Sequence, residues 1–166
     1  PVQRVIYEAN QFAADAAAVL TDDDRAWIAE ITRNALAVAT PANTYVHCDY
    51  KLGNLTVMKE GGAWRVSGLF DFHEARFADG ALDLVRPICA YLDTEPALAR
   101  VFVDAYFAST SARADLAALM PLYIINDRLK FWEFFKRPGS PPLLPADETF
   151  HTWAGRYAES VLRLLA

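Results

Sequence analysis

Tyr45-Val46-His47-Cys48-Asp49-Tyr50-Lys51-Leu52-Gly53-Asn54-Leu55 is the stretch on which the reading of this chain turns. It opens on a strand-like run, Tyr45-Val46-His47, and passes into a second, Leu55-Thr56-Val57-Met58. Between the two stands His-x-Asp-x-x-x-x-Asn. Further along, Ala63-Trp64-Arg65-Val66-Ser67-Gly68-Leu69-Phe70 alternates loosely as a third strand. Glu60-Gly61-Gly62 joins the second strand to the third as a hairpin turn, because two glycines permit positive φ. No helix start follows that glycine pair, so it reads as a turn and not as a phosphate-cradling loop. Asp71 then falls at the end of the third strand, in Leu69-Phe70-Asp71-Phe72.

An Asp and an Asn five positions apart, followed past a hairpin by an Asp-Phe pair, is the arrangement that phosphoryl transfer uses in protein kinases. That reaction asks for alignment and charge neutralisation more than for covalent chemistry. One carboxylate must orient the attacking hydroxyl and receive its proton. An oxygen ligand about a turn later and a second carboxylate from the next hairpin can hold Mg²⁺, which takes few protein oxygens and keeps its waters and phosphate ligands. Asp49, Asn54 and Asp71 fit these three roles in chain order. Lys51, two positions past the base, is placed to offset charge on the transferring group; the plainer alternative is an exposed loop lysine.

The segment Val46 to Leu55 resembles the H-G-D-x-x-x-x-N loop of aminoglycoside phosphotransferase and choline-kinase-like enzymes. Phe70-Asp71-Phe72-His73-Glu74-Ala75-Arg76-Phe77-Ala78-Asp79-Gly80-Ala81-Leu82-Asp83-Leu84 resembles their I-D-F-x-x-A-x-x-G-D-x-x-x-D-L. The resemblance implies a kinase-like fold, ATP or GTP as phosphate donor, Mg²⁺ as cofactor and a hydroxyl of a small molecule as acceptor. It implies Asp49 as catalytic base, with Lys51 beside it, and Asn54 and Asp71 as ligands of the metal and its nucleotide. His47, Asp79 and Asp83 become structural supports of the loop. His73 and Glu74 flank the cleft on the substrate side.

Three positions depart from that pattern. Cys48 replaces a usual glycine, which asks for a backbone that a side chain tolerates; Ala78 replaces another glycine, and Gly80 a frequent proline. The larger departure concerns the N-terminal lobe of such enzymes. No glycine-rich loop occurs, and Lys51, Lys59, Lys130 and Lys136 all lie at or beyond the catalytic loop. The expectation is therefore the C-terminal lobe alone, weakly active or inactive without an N-lobe. That lobe would come from another chain or from a longer parent, since the sequence opens on Pro1. The exposed cleft face would then invite self-association.

Around this centre the chain reads as α+β and mostly helical, one domain over 1–166. Residues 1–43 form N-terminal helices, 44–80 carry the loops and short strands, and 81–166 form a helical substrate-side subdomain. Residues 4–19 are alanine-rich; Thr21 before Asp22, Asp23 and Asp24 is a helix start, with a stop at Thr40-Pro41. Further helices are expected over about 80–92, 95–109, 113–136 and 146–165, with a connector over Arg137 to Pro145. Phe131-Trp132-Glu133-Phe134-Phe135 reads as core packing at helical spacing, His151 as a surface or packing residue. Asp127, Glu133, Asp147 and Glu148 read mainly as a solvated face.

With 54% hydrophobic residues, 13% aromatics and a net charge of -5, the chain can bury a core and carries no basic stripe for nucleic acid. No apolar run would span a membrane, and two cysteines without metal spacing suit a reducing, cytoplasmic setting. Two other readings stay open. One is a non-catalytic remnant that binds a metabolite or a protein. The other is a two-metal hydrolase using His47, Asp49, Asp71 and His73, which leaves Asn54, Asp79 and Asp83 without a role.

Overall fold

A computed structural model describes residues 2–38, 43–109, 115–136, 139 and 144–166. Helix α1 spans Val2–Asp15 and α2 Asp22–Leu36; strand β1 spans Thr44–Val46, β2 Leu55–Glu60, β3 Ala63–Leu69 and β4 Arg76–Ala78. Helices α3 (Leu82–Thr94), α4 (Pro96–Ser109), α5 (Leu116–Lys136) and α6 (Phe150–Leu165) complete the chain. The class is α+β and mostly helical, as the sequence suggests. The stop expected at Thr40-Pro41 lies outside the described residues, as does most of the connector after Lys136.

Local chemistry accounts for the helix starts. The Thr21 hydroxyl accepts the Asp24 N–H while the Asp24 carboxylate accepts the Thr21 N–H, a reciprocal capping box. Asp24 is fully buried because its other oxygen accepts the His151 N–H, tying α2 to α6. His151 also stacks on Trp27, so it is a packing residue. Helix α6 starts at Phe150 and not near 146, because the Thr149 side chain accepts the Thr152 N–H and caps it there.

Helix α5 forms the centre. Leu119, Met120, Leu122, Tyr123, Ile124, Ile125, Leu129 and Trp132 are buried around its circumference, against α1, α2, α3 and α6. A helix apolar on all sides is one wrapped by others. Trp132 stacks with Trp153 of α6, so the aromatic run around it does pack the core, although Phe134 stays half exposed.

The strands form two separate antiparallel pairs and not one island. In β1–β4, Thr44 faces Ala78 and Val46 faces Arg76. In β2–β3, Leu55 faces Leu69 and Glu60 faces Ala63, with an irregularity between Thr56 and Val57. Gly61 and Gly62 both take positive φ in the turn. This hairpin stands away from the helices and leaves Val57, Met58, Trp64 and Val66 exposed. Among the described residues no helix is long and apolar enough to cross a membrane.

Candidate active site

The loop between β1 and β2 is held from two directions. From below, the Asp83 carboxylate in the first turn of α3 accepts two consecutive backbone donors, His47 N–H at 2.8 Å and Cys48 N–H at 2.7 Å. From the side, the His47 ring bridges the loop to the end of β3. Its Nε2 donates to the Phe70 carbonyl at 2.9 Å, and Nδ1 accepts the Asp49 N–H at 3.3 Å. The ring also lies against Phe72, 4.7 Å between centroids. Both ring nitrogens are therefore engaged, and a hydrolytic metal site using His47 would have to break one of these bonds.

Cys48 departs from the sequence expectation. Its φ is +62°, in the left-handed region, where a side chain costs about 1–2 kcal/mol. The thiol occupies a position built for glycine, and the Asp83 bond holds the backbone there. Burial pushes the thiol pKa up, and the Arg76 charge offsets part of that rise.

Asp49 is buried at the centre of this loop. Its Oδ2 accepts Lys51 Nζ at 2.7 Å and Asn54 Nδ2 at 3.1 Å; its Oδ1 accepts Arg86 Nη1. Asn54 Nδ2 also donates to the Asp49 carbonyl at 3.0 Å, so both bonds from the amide use its nitrogen and leave Oδ1 for a cation. Asn54 is in turn joined to the Asp71 segment, because its carbonyl accepts the Phe70 N–H at 3.1 Å. Asp71, one residue on, is exposed and left-handed at φ +66°. Asp49, Lys51 and Asn54 are thus bonded together, and Asp71 follows directly on the residue whose N–H is bonded to Asn54.

The supporting residues lie just outside. Asp79 is buried; it accepts the Ala81 N–H at the start of α3 and the Tyr123 hydroxyl at 2.6 Å, anchoring α3 to α5. Glu74 accepts Lys130 Nζ at 2.7 Å, while His73 faces solvent. Arg76 pairs with Glu8 at 2.6 Å and joins α1 to β4. A cavity of about 600 Å³ opens against His47, Tyr50, Phe72, Phe102 and Tyr106. Asp49, Asn54 and Asp71 are not on its walls, so it is not the centre of the chemistry.

Arg86 and Asp127 are what sequence reasoning missed. Arg86 donates to Asp127 Oδ1 from Nε (3.0 Å) and Nη2 (2.8 Å) while its Nη1 serves Asp49. Asp127 is therefore not on a solvated face, as its pattern suggested; it is buried between two arginines. Burial would push its carboxyl up, but Arg128 and Arg86 together outweigh burial and hold it below the usual carboxylate range. The Arg128 guanidinium, bonded to Asp127 Oδ2, lies over the rings of Phe131, Trp153 and Tyr157 at 5.0–5.5 Å. The available signal was Arg86 standing three positions after Asp83, on the same helical face.

Among the described residues, no three His, Cys, Asp or Glu side chains converge as a metal cluster. The donors at hand are an amide oxygen and one carboxylate, few and hard, which suits Mg²⁺ completed by phosphate and water. The family model for the phosphotransferase enzyme family (APH) matches residues 3–122. No curated protein and no solved structure matches the chain.

Proposed function

The chain belongs to the phosphotransferase enzyme family, and on that premise we propose that it carries the catalytic lobe of a small-molecule kinase. In this reading the fold is the C-terminal lobe of a kinase-like domain. The γ-phosphate of ATP or GTP passes to a hydroxyl of a small acceptor of the aminoglycoside or choline type.

The observation that supports the reading is the bonded set of Asp49, Lys51 and Asn54, with the Asp71 segment tied to it through Phe70. Asn54 is bonded to Asp49 on one side and, through the Phe70 N–H, to the Asp71 segment on the other. Asp49 Oδ2 orients the acceptor hydroxyl and takes its proton as the acceptor oxygen bonds to phosphorus and the bond to the nucleoside diphosphate breaks. Lys51, half exposed, exchanges its bond to Asp49 for the phosphoryl oxygens and offsets their charge. Asn54 Oδ1 and the Asp71 carboxylate would hold Mg²⁺, which neutralises phosphate charge when bound. His73 and Glu74 sit at the acceptor side, Glu74 pre-set by Lys130. A nucleotide-covering lobe from elsewhere would complete the site.

The test is calorimetric titration of the chain with ATP, with and without Mg²⁺, beside the Asp71→Ala variant. Binding that needs Mg²⁺ and vanishes in the variant is expected. No binding in either protein would favour a non-catalytic role for this chain.

A further inference from the structure

We propose that Arg86 is a positioning residue: it fixes the plane of the Asp49 carboxylate and keeps it fixed while Lys51 moves. The task of Asp49 rests on the phosphotransferase reading; the contact between the two side chains does not.

Three donors reach Asp49, but they differ in freedom. The Lys51 side chain is 44% exposed and makes one bond from the end of a flexible stem. The Arg86 side chain is only 15% exposed, and two of its three bonds are spent on Asp127 Oδ1. A planar guanidinium clamped at Nε and Nη2 has its remaining Nη1 aimed in a set direction. That direction is Asp49 Oδ1.

The clamp itself is braced. Asp127 receives Arg128 on its second oxygen, and Arg128 is boxed by Phe131 of α5 and by Trp153 and Tyr157 of α6. The chain Asp49–Arg86–Asp127–Arg128 therefore carries rigidity from the helical core to the catalytic loop. Its consequence is a division of labour on one carboxylate. Oδ1 is held by the core; Oδ2 is held by mobile Lys51 and by Asn54, and becomes available to the acceptor when Lys51 turns to phosphate. A base free to rotate about its last bond would lose the alignment on which this chemistry depends.

The test uses the whole chain with isotope-labelled arginine side chains, comparing wild type with Asp49→Asn and Asp127→Asn by NMR. In the wild type, Arg86 is expected to give separate, slowly interchanging Nη signals. Asp127→Asn, which frees Nε and Nη2, makes them coalesce; Asp49→Asn shifts the Nη1 signal while Nε stays in place. The functional arm is slow Mg²⁺-dependent ATP hydrolysis. Arg86→Lys keeps the charge but cannot span both carboxylates, so it should lose kcat like Arg86→Gln, by ~100-fold, with the nucleotide KM within about twofold. Arg86 signals unmoved by Asp49→Asn would overturn the proposal, as would full rescue of kcat by lysine. A wild type that binds no Mg²⁺-nucleotide would instead count against the phosphotransferase reading, and the spectra would then decide the Arg86–Asp49 contact alone.

Discussion

Replacing Asp83 by Asn tests how the loop between β1 and β2 is held. The wild-type carboxylate accepts the His47 and Cys48 N–H groups at 2.8 and 2.7 Å, one on each oxygen. Asn keeps one oxygen and presents an NH₂ group to the other donor. One charge-assisted bond, worth about 1.5–3 kcal/mol, is then lost and the remaining one weakened. Removing a negative charge from the first turn of α3 costs about 0.3–1 kcal/mol more through the helix dipole. The sum is a loss of ~3 kcal/mol, or roughly 6–12 °C in Tm for a domain of this size. Circular dichroism during heating reads the Tm, and amide hydrogen exchange reads the two donors. Exchange at His47 and Cys48 should accelerate well beyond that of Ile124 in the core. The left-handed Cys48 supplies an internal control. Cys48→Gly relieves about 1–2 kcal/mol of backbone strain against about 0.5–1 kcal/mol of chain entropy, so it should stay within about 1 kcal/mol of wild type. If Asp83→Asn melts within a degree of wild type, or leaves both amides as protected as before, the loop is held by something else.

Alkaline stability should be limited by Cys89. Burial pushes this thiol from its ordinary value of 9.0 up to about 12. Below pH 9 both states keep the proton and nothing is lost. Above it the unfolded chain gives the proton up and the folded one does not, so stability falls by up to about 4 kcal/mol as pH rises toward 12. Burial and the bond to Asp93 raise Tyr157 as well and add to the same slope; urea melts of Cys89→Ala between pH 8 and 11 should show a shallower decline than wild type. Asp127→Ala leaves two guanidiniums buried without their shared partner and should cost about 3–5 kcal/mol in the same melts; a cost under 1 kcal/mol would mean that Arg86 and Arg128 find other partners. The apolar hairpin surface of Val57, Met58, Trp64 and Val66 should bind a hydrophobic dye and drive concentration-dependent self-association. A dye-silent monomer by light scattering would refute that.

The parts of the fold legible in the sequence were those with local causes. Thr21 with Asp24 marks a helix start within four residues, and Gly61-Gly62 marks a turn because the turn needs their backbone freedom. Strand β4 was invisible for the opposite reason. Arg76-Phe77-Ala78 is short, its Phe77 is exposed, and its pairing with β1 spans some thirty residues. In the candidate site the spacing of Asp49, Asn54 and Asp71 could be read because two short loops carry all three. The Arg86–Asp127 clamp could not be, since 41 positions separate the partners and burial is what makes the pair matter. A carboxylate on a helix looks solvated until its tertiary neighbours are known; Asp127 was misread on that account.

The exposed hairpin also makes the protein optically divided. Of its four tryptophans, Trp132 and Trp153 are buried and Trp27 is half-buried, while Trp64 at the edge of β3 is 70% exposed. Emission at the red edge, and the fraction quenched by a small neutral quencher, therefore belong to one residue near the turn of the hairpin. Whatever comes to lie across β2 and β3 shifts that emission to the blue and shields it. The state of the exposed hairpin can thus be followed in the native chain without adding a label.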